Sequence, residues 1–214
     1  MPQSSNPNPS NQAPEPSGSE NPEIILQEAK KLFRKKGYSG TSLSDIVKAT
    51  NLSKPTIYHY FGDKENLYAE VMIDLLKNGY KHLKSGFKPQ VKIREQLLHL
   101  TEGFMANSPA SIVSLLKDAQ EQLKPINYKK ISDAYRYYMV STFEVFFSRG
   151  VDMGELKDEH SPTDMALLYM SVIDSYTSNK TAYSGREFDY KESSEFIVSA
   201  LMDGLSKYKN NTTP

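Results

Sequence analysis

The sequence predicts an all-α fold: a small N-terminal three-helix domain followed by a larger helical bundle, about nine helices in all. Three observations carry this. Apolar residues recur at three- and four-residue spacing along most of the chain, as they do on one face of a helix. No stretch alternates apolar and polar residues in the manner of a half-buried strand, and no segment repeats. Prolines and small capping residues fall where periodic segments begin.

Residues 1–21 stand apart. They hold Pro2, Pro7, Pro9, Pro14 and Pro16 among Ser and Asn, with almost no apolar side chain. Such a segment buries too little surface to offset its ordering entropy, so a disordered tail is expected. It has no Lys or Arg, which argues against a role in contacting nucleic acid.

The first helix is expected from Asn21-Pro22-Glu23, which supply a cap, a first-turn proline and an acidic residue at the positive end of the dipole. Ile25, Leu26, Ala29, Leu32 and Phe33 form its apolar stripe, and Gly37 stops it. A second helix starts near Ser42, where Ser42 with Asp45 forms a capping box, and Leu43, Ile46 and Val47 face inward. Asn51 suits a left-handed turn residue. Ser53 caps a short third helix with Pro55 in its first turn; Ile57 and Phe61 are expected to hold it on the bundle, and Gly62 ends it. Asp63 caps a fourth helix that runs towards Leu83. Five more helical stretches are expected at about 89–106, 109–123, 126–149, 162–178 and 190–208, with Pro89, Pro109, Pro125 and Pro162 at starts and Gly150 closing the longest.

Composition narrows the chemistry. With 214 residues and 38% hydrophobic side chains, the chain is long enough for a sizeable core. It has no cysteine, which excludes disulfides, thiolate metal sites and cysteine nucleophiles. No run is long enough to span a bilayer and the N-terminus has no signal-peptide pattern, so a cytoplasmic protein is expected. Its four histidines, His59, His82, His99 and His160, are scattered without metal-ligand spacing, and no Gly-rich phosphate loop occurs. No enzyme, no cofactor and no metal are expected. The net charge is zero, yet residues 22–86 carry 11 Lys/Arg against 7 Asp/Glu. That local excess suits a segment that meets phosphate, and equally a solvated helix surface.

Two short helices joined by a tight turn within about twenty residues form a helix-turn-helix, whose second helix enters the DNA major groove. Residues 53–61, Ser-Lys-Pro-Thr-Ile-Tyr-His-Tyr-Phe, offer hydroxyls, one Lys, two Tyr and one His. That is a hydrogen-bonding and stacking surface. Residues 22–72 resemble the TetR/AcrR family of bacterial regulators. The resemblance lies in Leu32-Phe33 and Gly37-Tyr38, the Thr41-Ser42 step, Ile46, the whole of Ser53–Phe61, and Lys64-Glu65-Asn66-Leu67. One departure is Asn51, where the family usually has Gly.

The resemblance implies a sequence-specific DNA-binding transcriptional regulator that binds a palindromic operator as a homodimer, is a repressor by family default, and is released by a small apolar or aromatic effector. It implies domains of 22–68 for DNA binding and 69–214 for effector binding and dimerisation, with the Asp63–Leu83 helix coupling the two. Thr41 or Ser42 would bond a phosphate at a helix N-terminus. Lys54, Thr56, Tyr58 and His59 would face the groove, while Ser53 is at once cap and contact. Tyr60 and Lys64 would grip the backbone. Which residue reads which base stays open, and Tyr58 and Tyr60 also suit packing.

In the remainder, Tyr135, Tyr138, Met139 and Phe143, with Phe104 and Met105, could line an effector pocket. The same aromatic density equally suits a plain core. Met165, Leu168 and Val172 form one stripe, and Phe196, Ala200, Leu201, Gly204 and Leu205 another. These are expected at a four-helix dimer interface.

Overall fold

The computed structural model describes residues 21–88, 90–107, 112–183 and 189–205. Of the tail expected at residues 1–21, all but Asn21, which opens the first helix, lies outside these, as do the helix starts at Pro89 and Pro109 and the end of the last stretch at 206–208. The described residues form helices joined by turns. The helices are α1 (Asn21–Lys36), α2 (Leu43–Thr50), α3 (Lys54–Phe61), α4 (Lys64–Gly86), α5 (Ile93–Asn107), α6 (Ile112–Gln122), α7 (Pro125–Tyr135), α8 (Ser141–Asp152), α9 (Pro162–Tyr183) and α10 (Tyr190–Leu205). A π-helical turn, Arg136–Val140, joins α7 to α8 with helical backbone throughout, so nine helical runs stand among the described residues. The chain divides into two compact units at Tyr68/Ala69.

In the first unit α1, α2 and α3 pack on one another. Ile25, Ala29, Phe33, Ile46, Ile57 and Leu67 are buried there. Phe61 is only half-buried, so Ile57 is the deeper anchor of α3. Gly37 ends α1 in a left-handed conformation, φ 71°, and its N–H returns to the Phe33 carbonyl at 2.8 Å. Asn51 takes the same region at φ 56°, so it supplies the turn usually given to glycine.

In the second unit α5 packs on α10 and α8 on α9. The core there is Phe143, Phe146, Phe147 and Tyr169, with Ile93, Leu97, Ile131 and Met139. Phe143 and Phe147 lie 4.8 and 5.8 Å from the Tyr169 ring. The Tyr169 hydroxyl shares a buried 2.8 Å hydrogen bond with that of Thr101.

The elements differ from expectation at several points, α9 among them, which runs to Tyr183 instead of 178. α5 begins at Ile93, because its first free N–H is capped from afar: the Glu155 carboxylate accepts from Ile93 N at 3.0 Å. Local sequence carries no trace of such a cap. Gly150 does not close its helix. It lies inside α8, where a Cβ would meet the Leu156 side chain at 2.6 Å, and the turn falls at Gly154, φ 70°. The stretch expected at 126–149 contains the π-turn: Ile131, Met139, Val140 and Phe143 are buried while Tyr135 and Tyr138 are half-buried.

Candidate nucleic-acid interface

The candidate site is built within the first unit. Ser42 caps α2 with a complete capping box: its hydroxyl accepts from Asp45 N at 3.1 Å, and Ser42 N–H donates to the Asp45 carboxylate at 2.8 Å. The Lys36 ammonium joins that carboxylate at 3.0 Å. The Ser42 hydroxyl and N–H, then Lys36, hold the Asp45 carboxyl well below the usual carboxylate range. Ser42 itself is exposed at this N-terminus, where the helix dipole favours an anion.

Ser53 caps α3 in the same manner, accepting from Thr56 N at 3.2 Å, with the two hydroxyls 2.7 Å apart. Proline in the first turn costs no hydrogen bond. Ile57 is buried and fixes which face of α3 looks outward. That outer face carries Lys54, Tyr58 and His59, all exposed, Tyr58 to 44%. Lys54 and Tyr58, four apart, are neighbours on it, the ammonium 5.8 Å from the ring centroid. The His59 ring leans on Tyr60 at 5.2 Å, and Thr56 and Tyr60 are half-buried. The helix therefore presents a cation, a phenol and an imidazole to solvent, with hydroxyls at its N-terminus. No core packing consumes them. These are the donors and stacking surfaces that base edges and phosphates accept.

Two residues expected at the interface are turned inward. Thr41 is 1% exposed, and its hydroxyl donates to the Gly37 carbonyl at 2.8 Å. It ties the α1–α2 turn, so of the Thr41-Ser42 step only Ser42 is accessible. Lys64 donates to the Tyr38 and Thr41 carbonyls, both at 2.9 Å, and its ammonium lies 4.0 Å from the Tyr38 ring centroid. Burial lowers its pKa. Tyr38 in turn stacks on Phe33 at 6.3 Å and meets the tilted Tyr68 ring at 5.0 Å. Lys64 thus locks the turn on which the helix-turn-helix rests. Sequence reading missed Tyr38 as its partner, and missed Lys36 at the capping box. Both signals were present only as a Gly-Tyr step and as one lysine among several on α1.

In the second unit the six residues expected at an effector pocket differ in burial. Met105, Met139 and Phe143 are buried in the core. Tyr138 is half-buried against Tyr80 of α4 at 5.5 Å. Tyr135 is half-buried elsewhere, its phenol pushed up to about 12 by burial and then by the Asp174 charge. Phe104 is half-buried. Of the expected association stripes, Met165 (1%) and Leu205 (7%) belong to the unit's own core, because α9 and α10 turn these positions towards it. Leu168 (49%), Phe196 (62%), Ala200 and Gly204 are exposed, and Val172 and Leu201 half-buried. Among the described residues no helix is long and apolar enough to cross a membrane.

Residues 25–71 match the family described as bacterial regulatory proteins, tetR family. Over most of its length the chain is similar to the uncharacterized HTH-type transcriptional regulator YfiR of Bacillus subtilis: 24% identical over 201 residues, 86% of this chain and 92% of that one. Across 46 residues, 22% of this chain and 25% of the relative, it is 41% identical to the biofilm operon icaADBC HTH-type negative transcriptional regulator IcaR of Staphylococcus aureus. Its fold is that of the transcriptional regulator FadR from Bacillus subtilis, solved in complex with stearoyl-CoA, with a TM-score of 0.71 at 18% identity over 85% of this chain and 98% of that one.

Proposed function

From the premise that this chain belongs to the TetR family of helix-turn-helix transcriptional regulators, we propose that it is a repressor. In this reading it holds a palindromic operator as a homodimer and releases it when a small molecule binds the second unit. The observation that carries the reading is the outer face of α3, where Lys54, Tyr58 and His59 are exposed while Ile57 is anchored beneath them. Ser42 offers a phosphate the N-terminus of α2, and Ser53 and Thr56 supply further hydroxyls. Thr41 and Lys64 support these contacts from within and make none themselves. Repression is favoured by the likeness to IcaR, a negative regulator, over the reading head.

The apolar residues left exposed on α9 and α10 support a dimer. Leu168, Phe196, Ala200 and Gly204, flanked by Val172 and Leu201, would meet their copies around a two-fold axis. The half-sites of such an operator would lie about 34–36 Å apart. Residues 22–68 are the reading head and 69–214 the effector and dimer domain in this reading. FadR, bound to stearoyl-CoA, favours a small-molecule ligand in a fold of this kind. Such a ligand acts only by binding the two states of the regulator with different affinity, and α4, which contributes to both units, is the connection through which the difference would act.

Replacing Lys54 and Tyr58 by Ala tests the site. Operator affinity is expected to fall by about 1–3 kcal/mol per contact with the melting temperature unchanged, since both side chains are exposed. Unchanged affinity in the folded variants would overturn the assignment.

A further inference from the structure

The outer face of α3 carries Lys54, Tyr58 and His59, all exposed. Two hydroxyls lie near its start, but those of Ser53 and Thr56 bond each other at 2.7 Å. Lys54 opens the helix and Tyr58 follows one turn later. Helical side chains lean towards the N-terminus, so the Tyr58 ring leans back over the turn that Lys54 occupies. The ring takes the ammonium at 5.8 Å from its centroid. Among the described residues no carboxylate pairs with that ammonium, whereas Lys31 and Lys36 of α1 each have one, Glu28 and Asp45.

The position gives the ring its importance. A cation gains nothing from the positive end of a helix dipole, and a lysine has more side-chain freedom to lose on ordering than most residues. Alone, the Lys54 ammonium would sample many directions and meet a base edge in few of them. The ring is a shelf carried by an anchored helix: Ile57, next to Tyr58, is 1% exposed, and the Ser53 cap and first-turn proline fix the helix start. A tyrosine can also act through its hydroxyl, on a phosphate or a base. The two roles differ in what they need, because a shelf requires only the aromatic face.

We propose that Tyr58 is a positioning residue for Lys54: its ring holds the ammonium on the outer face of α3, and the base preference exerted by Lys54 depends on that ring. This rests on the regulator reading above, in which α3 meets the operator. It adds that Lys54 selects the base and Tyr58 aims it. Guanine, whose O6 and N7 both accept in the major groove, is the base that an aimed ammonium selects.

Selection by the full chain from a pool of random-sequence duplexes tests it, with Lys54→Met, Tyr58→Leu, Tyr58→Phe and the Lys54→Met/Tyr58→Leu double variant; thermal melting checks that each is folded. The unaltered chain is expected to enrich a motif, and Lys54→Met to lose the preference at one base pair of each half-site. Tyr58→Leu is expected to relax that same base pair by about two- to fivefold, the effect of an exposed cation–ring contact. Tyr58→Phe keeps the preference, and the double variant goes no further there than Lys54→Met. In NMR spectra of the free protein the Lys54 Cε protons are expected upfield of those of the other lysines, shifted by the Tyr58 ring current, and to move back in Tyr58→Leu. Ordinary Lys54 shifts would overturn the shelf without reference to DNA. A base pair left as sharp in Tyr58→Leu as in the unaltered chain would overturn the positioning role, as would Tyr58→Phe losing as much as Tyr58→Leu, which would put the phenol hydroxyl itself on the DNA. A motif that survives all the variants removes this proposal and leaves specific recognition in place, whereas failure of the unaltered chain to enrich any sequence removes the regulator reading and the proposal with it.

Discussion

The Lys64 ammonium lies 4.0 Å from the centroid of the Tyr38 ring and donates to the Tyr38 carbonyl at 2.9 Å. A second bond reaches the Thr41 carbonyl. A lysine so engaged is a fastener of the α1–α2 turn and is withdrawn from phosphate. Lys64→Ala is therefore expected to lower unfolding stability by about 1–2 kcal/mol, the charged hydrogen bonds being weakened by partial solvent contact. It leaves the salt dependence of DNA binding unchanged. Urea titration and binding at several ionic strengths measure both; a slope reduced by about one, as for a lost phosphate contact, would place Lys64 on the DNA instead.

Thr41 offers a parallel case. Thr41→Val keeps shape and burial but leaves the Gly37 carbonyl without its side-chain donor. A loss of about 1 kcal/mol in stability is expected, with operator affinity per folded molecule unaltered. Ser42→Ala, at the exposed neighbour, should lose both a cap, at about 1 kcal/mol, and a share of DNA affinity. Differential scanning calorimetry alongside fluorescence anisotropy separates the pair.

The proposed association surface separates by burial in the same way. Phe196→Asp combined with Leu168→Asp is expected to yield folded monomer in analytical ultracentrifugation, because both side chains are exposed on the single chain. Met165→Ala instead opens a cavity in the core and costs about 2–5 kcal/mol. A Phe196/Leu168 variant that remains dimeric would move the interface elsewhere.

Acid should act on the capping box. The folded-state pKa of Asp45 is depressed, first by the Ser42 hydrogen bonds and then by Lys36. Its contribution is fully present above the unfolded value of about 3.9 and is lost as pH falls from there through the lower folded value. Carboxyl NMR is expected to show Asp45 titrating below the other exposed aspartates, and Asp45→Asn to flatten the stability profile in that window. An ordinary Asp45 titration would mean that the box is open in solution.

Much of the reading head is legible in the sequence. Ser42 with Asp45, Ser53 before a proline, and Asn51 at a turn act through neighbours three residues away or fewer, and such signals are written locally. The inward turn of Thr41 and Lys64 was not, because Lys64 finds its acceptors 26 and 23 residues back along the chain. The same reason hid the start of α5, capped by Glu155 from 62 residues away. In the second unit periodicity found the helices but not which aromatic residue faces which neighbour. A single π-turn re-phases the apolar stripe, and nothing in Arg136–Val140 announces it.

The central claim, a two-fold reader of a specific operator, is met most directly by binding the purified chain to sheared DNA of its own genome at two salt concentrations and sequencing what is retained. The expected result is a shared inverted repeat, with half-sites about one helical turn apart, that survives the higher salt and is lost with Lys54→Ala. Uniform recovery that vanishes as salt rises would leave only counterion release and would contradict specific recognition by α3.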